Sequence, residues 1–109
     1  MFRYADAHLM KAEAMMRSNG DATAMVNELR TLRGASPLGA VTEADMLAER
    51  GRELWIEMVR RTDLIRFNKF NEGYEFMDES AIGDANKNIY PIPANAILSN
   101  PNLIQNEGY

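Results

Sequence analysis

Apolar residues spaced for α-helices dominate the first half of the chain. A helix over residues 2–18 places one apolar set on a single face: Phe2, Ala5, Leu9, Ala12 and Met16. Asp6 and Glu13 border that face. A second stretch, residues 21–33, repeats the spacing with another set: Ala22, Met25, Val26, Leu29 and Leu32. Two amphipathic helices are therefore predicted at the start of the chain.

A three-residue turn, Asn19-Gly20-Asp21, separates these two helices. Glycine suits the left-handed backbone just past a helix end, and Asp21 can cap the helix that follows. Helices joined by so short a turn must lie antiparallel as neighbours. We therefore predict an αα-hairpin over residues 2–33.

A third helix is predicted to begin at Thr42, which can cap it while Glu43 and Asp45 lie in its first turn. It is expected to run to about Arg61. Its apolar face comprises Leu47, Gly51, Leu54, Trp55, Met58 and Val59. Residues 63–67 are expected to continue as another turn or short helix, so that helices occupy residues 42–69.

The last third of the chain, residues 74–109, has a different composition. Six asparagines and three prolines lie between Asn86 and Tyr109, and each proline excludes regular helix around it. Apolar residues are nevertheless distributed along this stretch: Tyr90, Ile92, Ile97, Leu98, Leu103, Ile104 and Tyr109. The pattern predicts an ordered, irregular tail that wraps over a scaffold. The fold class is therefore all-α, a helical hairpin plus a further helix and this tail.

Charge and composition exclude several classes of protein. A formal net charge of −4 argues against a nucleic-acid-binding face. The absence of cysteine excludes disulfides and thiolate sites, and no apolar run is long enough to span a bilayer. His8 is the only histidine, so a zinc site is not indicated, and a satisfied or solvent-facing side chain is expected. The sequence indicates no catalytic residue, no cofactor-binding residue and no metal ligand.

The acidic residues of the third helix have a functional and a structural interpretation. Glu49, Glu53 and Glu57 share one side of the third helix, where paired carboxylates could act as acid and base. Four arginines interleave with them, which favours an ion-pair lattice: Arg50, Arg52, Arg60 and Arg61. A Glu57–Arg61 pair is expected within this lattice. A contact of Arg61 with Asp63 would connect the third helix to the turn that follows it.

Aromatic residues raise the question of a carbohydrate platform. Trp55, the only tryptophan, lies on the apolar face of the third helix and is expected in the core. Four aromatic residues in irregular regions could reach the surface: Tyr74, Phe76, Tyr90 and Tyr109. No platform is recognisable among them.

Three segments together resemble the C-terminal region of the SusD/RagB family. The first is Arg3-Tyr4-Ala5-Asp6 continuing to Leu9-Met10-Lys11-Ala12-Glu13-Ala14. The second joins Glu49-Arg50, Glu53-Leu54 and Glu57 to Arg60, Asp63-Leu64 and Arg66. The third joins Tyr90-Pro91-Ile92-Pro93 to Asn100-Pro101-Asn102-Leu103-Ile104-Gln105-Asn106-Glu107-Gly108-Tyr109. The chain departs from the family pattern at Met58, where glycine is usual, and in a short segment between Phe70 and Asn86.

The resemblance implies that residues 1–109 are the C-terminal helical part of a longer parent with a signal peptide and a lipidated cysteine. Such proteins lie on the outer face of the outer membrane, where they bind glycans or other nutrients and work with a TonB-dependent transporter. Family ligand contacts come from loops upstream of this region, so no binding residue is carried over and no enzyme activity is implied. The hairpin of residues 2–33 also has about the length of a tetratricopeptide unit. The alternative is a free-standing, tetratricopeptide-like scaffold that binds other proteins.

Overall fold

A computed structural model describes residues 3–109 of the chain. Within this range the regular structure is entirely helical, with five α-helices: α1 (Tyr4–Arg17), α2 (Thr23–Leu32), α3 (Glu43–Glu53), α4 (Arg60–Arg66) and α5 (Ala94–Ser99). Two short 3-10 segments, Glu79–Ala81 and Ala85–Asn88, lie between α4 and α5. The chain divides into two compact units, Met1–Phe67 and Asn68–Tyr109. The all-α prediction is confirmed, and the predicted core residue Phe2 lies outside the described residues.

The αα-hairpin forms the first part of the N-terminal unit. Its buried core combines one face of α1 with one face of α2 and the start of α3: Ala5, Leu9, Ala12, Ala22, Val26, Leu29, Met46 and Leu47. Leu32, which the spacing also placed in the core, is 76% exposed because it lies in the last turn of α2. The helical periodicity therefore identified the packed faces, except at that helix end.

The turn between α1 and α2 uses its residues differently from the prediction. Asn19, not Gly20, adopts left-handed backbone, with a φ of 61°. The Gly20 N–H donates to the Met15 carbonyl at 2.9 Å, and a Cβ at residue 20 would lie 3.0 Å from that oxygen. Gly20 is thus needed for this close approach. The Asp21 carboxylate accepts from the Thr23 N–H at 2.8 Å, but the N-cap of α2 is Ala22, so Asp21 lies one residue before the predicted capping position.

Helix α3 begins with the predicted cap. The Thr42 hydroxyl accepts from the Asp45 N–H, and the Asp45 carboxylate accepts from the Thr42 N–H in return. This reciprocal pair satisfies two backbone donors that a helix start leaves free. The start of α3 was therefore predictable from local sequence.

The end of α3 was not predicted correctly. The helix ends at Glu53, well before Arg61, because Ile56 and Met58 adopt left-handed backbone with φ of 65° and 62°. Such backbone cannot continue a right-handed helix. Trp55 and Met58, both predicted in the core, are 76% and 95% exposed on the resulting loop. The chain becomes helical again at Arg60.

The second unit, Asn68–Tyr109, is irregular but contains more local structure than the sequence indicated. Its 3-10 segments are capped by Asp78 and Asp84, which accept hydrogen bonds from backbone N–H groups two residues ahead. Helix α5 follows Pro93, a position where proline ends the extended run without interrupting the helix. The predicted apolar anchors divide: Ile92 and Ile97 are partly buried, whereas others are exposed, namely Tyr90, Leu98, Leu103, Ile104 and Tyr109.

Hydrogen bonds from the last residues hold the extended run in place. Gln105 accepts from the Ile92 N–H at 2.8 Å and donates to the Ile92 carbonyl at 2.9 Å, as a neighbouring strand would. Asn106 donates to the Tyr90 carbonyl, and the Tyr109 hydroxyl donates to the Ile89 carbonyl. We call the side chains of Gln105, Asn106 and Tyr109, together with residues 89–92, the C-terminal clasp. It explains how a segment without a ladder or helix satisfies its backbone.

None of the helices in residues 3–109 combines the length and apolarity that a membrane crossing requires.

Candidate functional site

A buried arginine at the centre of the N-terminal unit links three helices. The guanidinium of Arg50 on α3 donates from Nε to Asp63 on α4 at 2.9 Å, and from Nη2 to Asp6 on α1 at 3.2 Å. Arg50 is 3% exposed and Asp63 is 1% exposed. Residues 44 positions apart in sequence thereby share one set of charge-assisted hydrogen bonds.

Glu13 and Arg66 extend this set of contacts. The Arg66 guanidinium makes a two-point contact with the Glu13 carboxylate, each N···O distance being 2.8 Å, and also donates to Asp63. Arg17 donates to Glu13 at 2.8 Å from the next turn of α1. The guanidinium groups of Arg17 and Arg66 lie 4.7 and 5.6 Å from the ring centre of buried Phe67. We call the six charged residues the Arg50 cluster: Asp6, Glu13, Arg17, Arg50, Asp63 and Arg66.

The Arg50 cluster is balanced in formal charge, with three carboxylates and three guanidinium groups. Burial alone would raise the pKa of Glu13, but hydrogen bonds from Arg66 and Arg17 outweigh burial, and its pKa lies below the ordinary value. The hydrogen bond to Glu13 correspondingly raises the pKa of Arg66. Glu13 and Arg66 therefore both remain ionised near neutral pH. Removing either Arg50 or Asp63, the two most buried members, costs about 3–5 kcal/mol, since it leaves an opposite charge buried without its partner.

A second group of charges fixes the end of α3. Arg3 donates to both Glu53 and Glu57 at 2.8 Å, and also to the Glu53 main-chain carbonyl. Arg33 at the end of α2 binds the same Glu53 carboxylate through two nitrogens. Hydrogen bonds from Arg33 and Arg3 lower the pKa of Glu53 from 4.5 to about 2, although burial opposes them. We call Arg3, Arg33, Glu53 and Glu57 the Arg3 cluster.

The predicted ion-pair lattice on α3 is found at Glu49 and Arg52, whereas Glu53 and Glu57 pair with Arg3, which precedes α1. Glu49 is held by Arg30 of α2 as well as by Arg52 of its own helix. Arg60 lies against α3 and donates to the Leu47 carbonyl at 2.7 Å. A Cβ on Gly51 would lie 2.8 Å from the Arg60 guanidinium, so any larger residue would make that side chain shift. The Glu57–Arg61 pair stays a prediction.

The sequence did not identify five arginines that bind these carboxylates. Four lie far from their partners in sequence, namely Arg3, Arg30, Arg33 and Arg66, and Arg17 lies one turn after Glu13 on α1. The sequence did contain a sign that the acidic residues of α1 need cationic partners. Asp6 and Glu13 border the apolar face of α1, and a carboxylate at the edge of a core needs a cation or several donors. Periodicity places such an acid near the core but does not identify which arginine reaches it.

His8 is satisfied, as predicted. Its Nε2 lies 2.8 Å from the Met25 carbonyl oxygen of α2, and its side chain is almost buried between the two helices. Among residues 3–109, no group of three acidic or histidine side chains converges as a metal site would require. The contact with the Met25 carbonyl connects α1 to α2, so His8 helps to hold the hairpin together.

Open grooves lie on the N-terminal unit, and two of them have mainly apolar linings. One, of about 250 Å³, lies between α1 and α2 and is bordered by Tyr4, His8 and Leu32. The other, of about 840 Å³, lies beside the loop that joins α3 to α4 and is bordered by Trp55, Ile56, Met58 and the two arginines Arg52 and Arg60. Neither groove is lined by a pair of carboxylates. The mainly apolar lining groups are suited to contacts with another molecule.

Ion pairs between helices, and not a constellation of reactive groups, are the most developed chemistry of the N-terminal unit. The fold and these contacts define an all-α scaffold built on a helical hairpin. The chain belongs to the SusD family, whose model matches residues 1–109. Each segment of the resemblance now has a structural role: the first two supply the charge clusters, and the third supplies the C-terminal clasp.

Two relatives of this chain are longer proteins. It is 40% identical over 118 residues to the starch-binding protein SusD of Bacteroides thetaiotaomicron, and 32% identical over 124 residues to the SusD-like protein P38 of Formosa agariphila. All of this chain is matched in both comparisons, against 21% and 24% of the relatives. The chain thus spans about a fifth to a quarter of the curated relatives it matches.

Proposed function

We propose that this chain is the C-terminal helical part of a nutrient-binding protein, and that glycans are the ligand class of the whole protein. The observation that carries the proposal is the family match over the full chain, together with 40% identity to a protein named for starch binding. The paired charges of the N-terminal unit support a binding protein without enzyme activity. Their carboxylates are committed to arginines and are not available to a substrate.

In this proposal the 109 residues contribute a rigid base and not the ligand contacts. The Arg50 cluster joins α1, α3 and α4, so the N-terminal unit resists distortion when another part of the protein is loaded. Exposed Trp55 is flanked by Ile56 and Met58, whereas a sugar site needs polar groups placed around a ring to bind hydroxyls. The glycan-binding groups are therefore assigned to the remainder of the parent.

The proposal extends to a location and a partner. We infer that the parent is lipid-anchored on the outer face of the outer membrane and passes its ligand to a TonB-dependent transporter. Family membership supports this inference. Purification of the tagged parent from detergent-solubilised outer membranes tests it, with a TonB-dependent transporter expected as a stoichiometric companion. A parent recovered without one from outer membranes, or recovered from the cytoplasm, would contradict it.

Calorimetry of the parent and of the 109-residue chain tests ligand binding. With a panel of soluble oligosaccharides that includes starch fragments, we expect the parent to bind at least one glycan. The isolated chain should give no measurable heat of binding. Binding by the isolated chain would transfer the ligand site to these residues, and a parent that binds none of the panel would contradict the glycan proposal.

The alternative function is a free-standing scaffold that binds other proteins. The exposed apolar loop of Trp55, Ile56 and Met58 favours it, because such residues are common at protein interfaces. The reading frame separates the two functions. A frame that continues far upstream, next to a transporter gene, supports the nutrient-binding parent, whereas a short frame with unrelated neighbours supports the scaffold.

A further inference from the structure

The loop between α3 and α4 presents three large apolar side chains to solvent. Trp55, Ile56 and Met58 are 76%, 82% and 95% exposed. Isolated apolar residues are common on protein surfaces, but three within four positions form a continuous patch. We call these three side chains the 55–58 patch.

The backbone under the patch is fixed in an unfavourable conformation. Ile56 is β-branched and yet has a φ of 65°, a conformation that such residues rarely adopt. Strained backbone persists where its surroundings hold it. Here the Arg3 cluster binds Glu53 and Glu57 on either side, and Leu54 between them is buried. The patch is therefore preorganised before any partner arrives.

The groove beside the patch is lined by apolar residues and two arginines. Its apolar lining continues inward along Ala48, Gly51 and Leu54, and its charged lining consists of Arg52 and Arg60. Arg52 shares Glu49 with Arg30, so two cations here divide one carboxylate. The surface is therefore apolar at its centre and positive at its rim. Tryptophan, methionine and arginine are also enriched at protein interfaces.

We propose that the 55–58 patch is the docking surface for a helical segment of the parent polypeptide that lies outside these 109 residues. That segment brings apolar side chains to the patch and carboxylates to Arg52 and Arg60. Two observations favour this occupant. The relatives are four to five times longer than the matched region, and helical-hairpin units bury their apolar faces by stacking on neighbouring units of the same chain. The proposal rests on the longer parent proposed above, but not on its ligand.

Methionine oxidation measures the accessibility of the patch directly. Dilute hydrogen peroxide converts exposed methionine to its sulfoxide, and mass spectrometry reports the rate at each position. Two methionines are internal controls: buried Met46 reports that the chain is folded, and half-exposed Met10 reports reagent strength. In the 109-residue chain, we expect Met58 to react fastest of the three and Met46 to be protected.

In the complete parent, Met58 oxidation should slow by about tenfold or more relative to the isolated chain, while Met46 stays protected. Equal Met58 rates in parent and isolated chain would overturn the proposal, even if the parent binds glycans. Protection that disappears on dilution would identify a second copy as the occupant and also overturn it. A complete reading frame of only 109 residues would do the same.

Substitution of Trp55 gives an independent measurement. Trp55→Ser should leave the melting temperature of the isolated chain nearly unchanged, because the side chain is mostly exposed there. In the parent, the same change should lower the melting temperature by several degrees. Tyr4→Ser is the matched control, since Tyr4 is 84% exposed and lies on the other groove. Equal small effects of Trp55→Ser in both proteins would overturn the proposal.

Discussion

Met58 occupies a backbone position better suited to glycine. Its φ is 62°, and its side chain is 95% exposed, so the side chain contributes little packing in this chain. The family pattern has glycine at the equivalent place. The structure supplies the physical reason, since left-handed backbone costs a residue with a Cβ about 1–2 kcal/mol. The departure from the pattern therefore introduces strain without preventing the loop conformation.

We predict that Met58→Gly stabilises the chain. Relief of the left-handed strain exceeds the extra chain entropy that glycine loses on folding, roughly 0.5–1 kcal/mol, so the net gain is about 0.5–1 kcal/mol. Urea denaturation measures the difference. Met58→Ala is the matched control, because it removes the same side chain but keeps the Cβ. If alanine stabilises as much as glycine, removal of the exposed side chain and not relief of strain is the cause.

At the scale of elements, the C-terminal clasp replaces regular hydrogen bonding with side chains. Residues 90–93 contain two prolines, so Ile92 has the only backbone N–H within Pro91-Ile92-Pro93. Gln105 satisfies both polar groups of Ile92 at once. An amide side chain can do this because it carries a donor and an acceptor side by side. The clasp therefore depends on residue type at position 105 more than on apolar burial.

Gln105→Ala should release the Ile92 amide. Loss of a hydrogen bond worth about 1 kcal/mol corresponds to roughly fivefold faster exchange of that amide with solvent. Gln105→Glu keeps an acceptor for the Ile92 N–H and should preserve most of its protection. Hydrogen exchange followed by NMR resolves this single amide. Unchanged Ile92 exchange in the alanine variant would show that other contacts order the segment.

Elements that form through contacts between residues close in sequence were predicted, and those that depend on residues far apart in sequence were not. Cap signals at Thr42 and apolar spacing in α1 and α2 are local, and the sequence located them within about two residues. The end of α3 at Glu53 is bound by Arg3, which lies 50 residues away in sequence, and the apolar periodicity gave no sign of the break. Trp55 was misplaced into the core for the same reason. The Arg50 cluster was missed because its partners belong to three separate helices.

At the scale of the whole molecule, the charge clusters connect stability to pH. The pKa of Glu53 is lowered from 4.5 to about 2 by hydrogen bonds from Arg33 and Arg3. A carboxyl group with a lowered pKa in the folded state stabilises that state at pH values above the ordinary pKa. This contribution is lost as the pH falls from 4.5 towards about 2. Glu13, whose pKa is also lowered, acts in the same direction.

We predict a loss of stability in acid that Glu53→Gln reduces. The wild-type free energy of unfolding should fall as pH decreases between 4.5 and about 2, because the unfolded chain binds the proton more readily. The glutamine variant should be less stable at neutral pH but show a shallower decline. Urea titrations at several pH values measure both. Parallel pH profiles for the two proteins would exclude Glu53 as a source of acid sensitivity.

The position of Arg50 in the sequence also affects when the helices can pack together during translation. Asp6 is made 44 residues before Arg50, but Asp63 follows it by 13 residues, on the order of one second of translation. Until Asp63 is available, burial of Arg50 would leave its guanidinium short of a carboxylate. The α1–α2 pair can form on the nascent chain while α3 stays undocked and its arginine hydrated. Once α4 has emerged from the ribosome, all three helices can close together around Arg50.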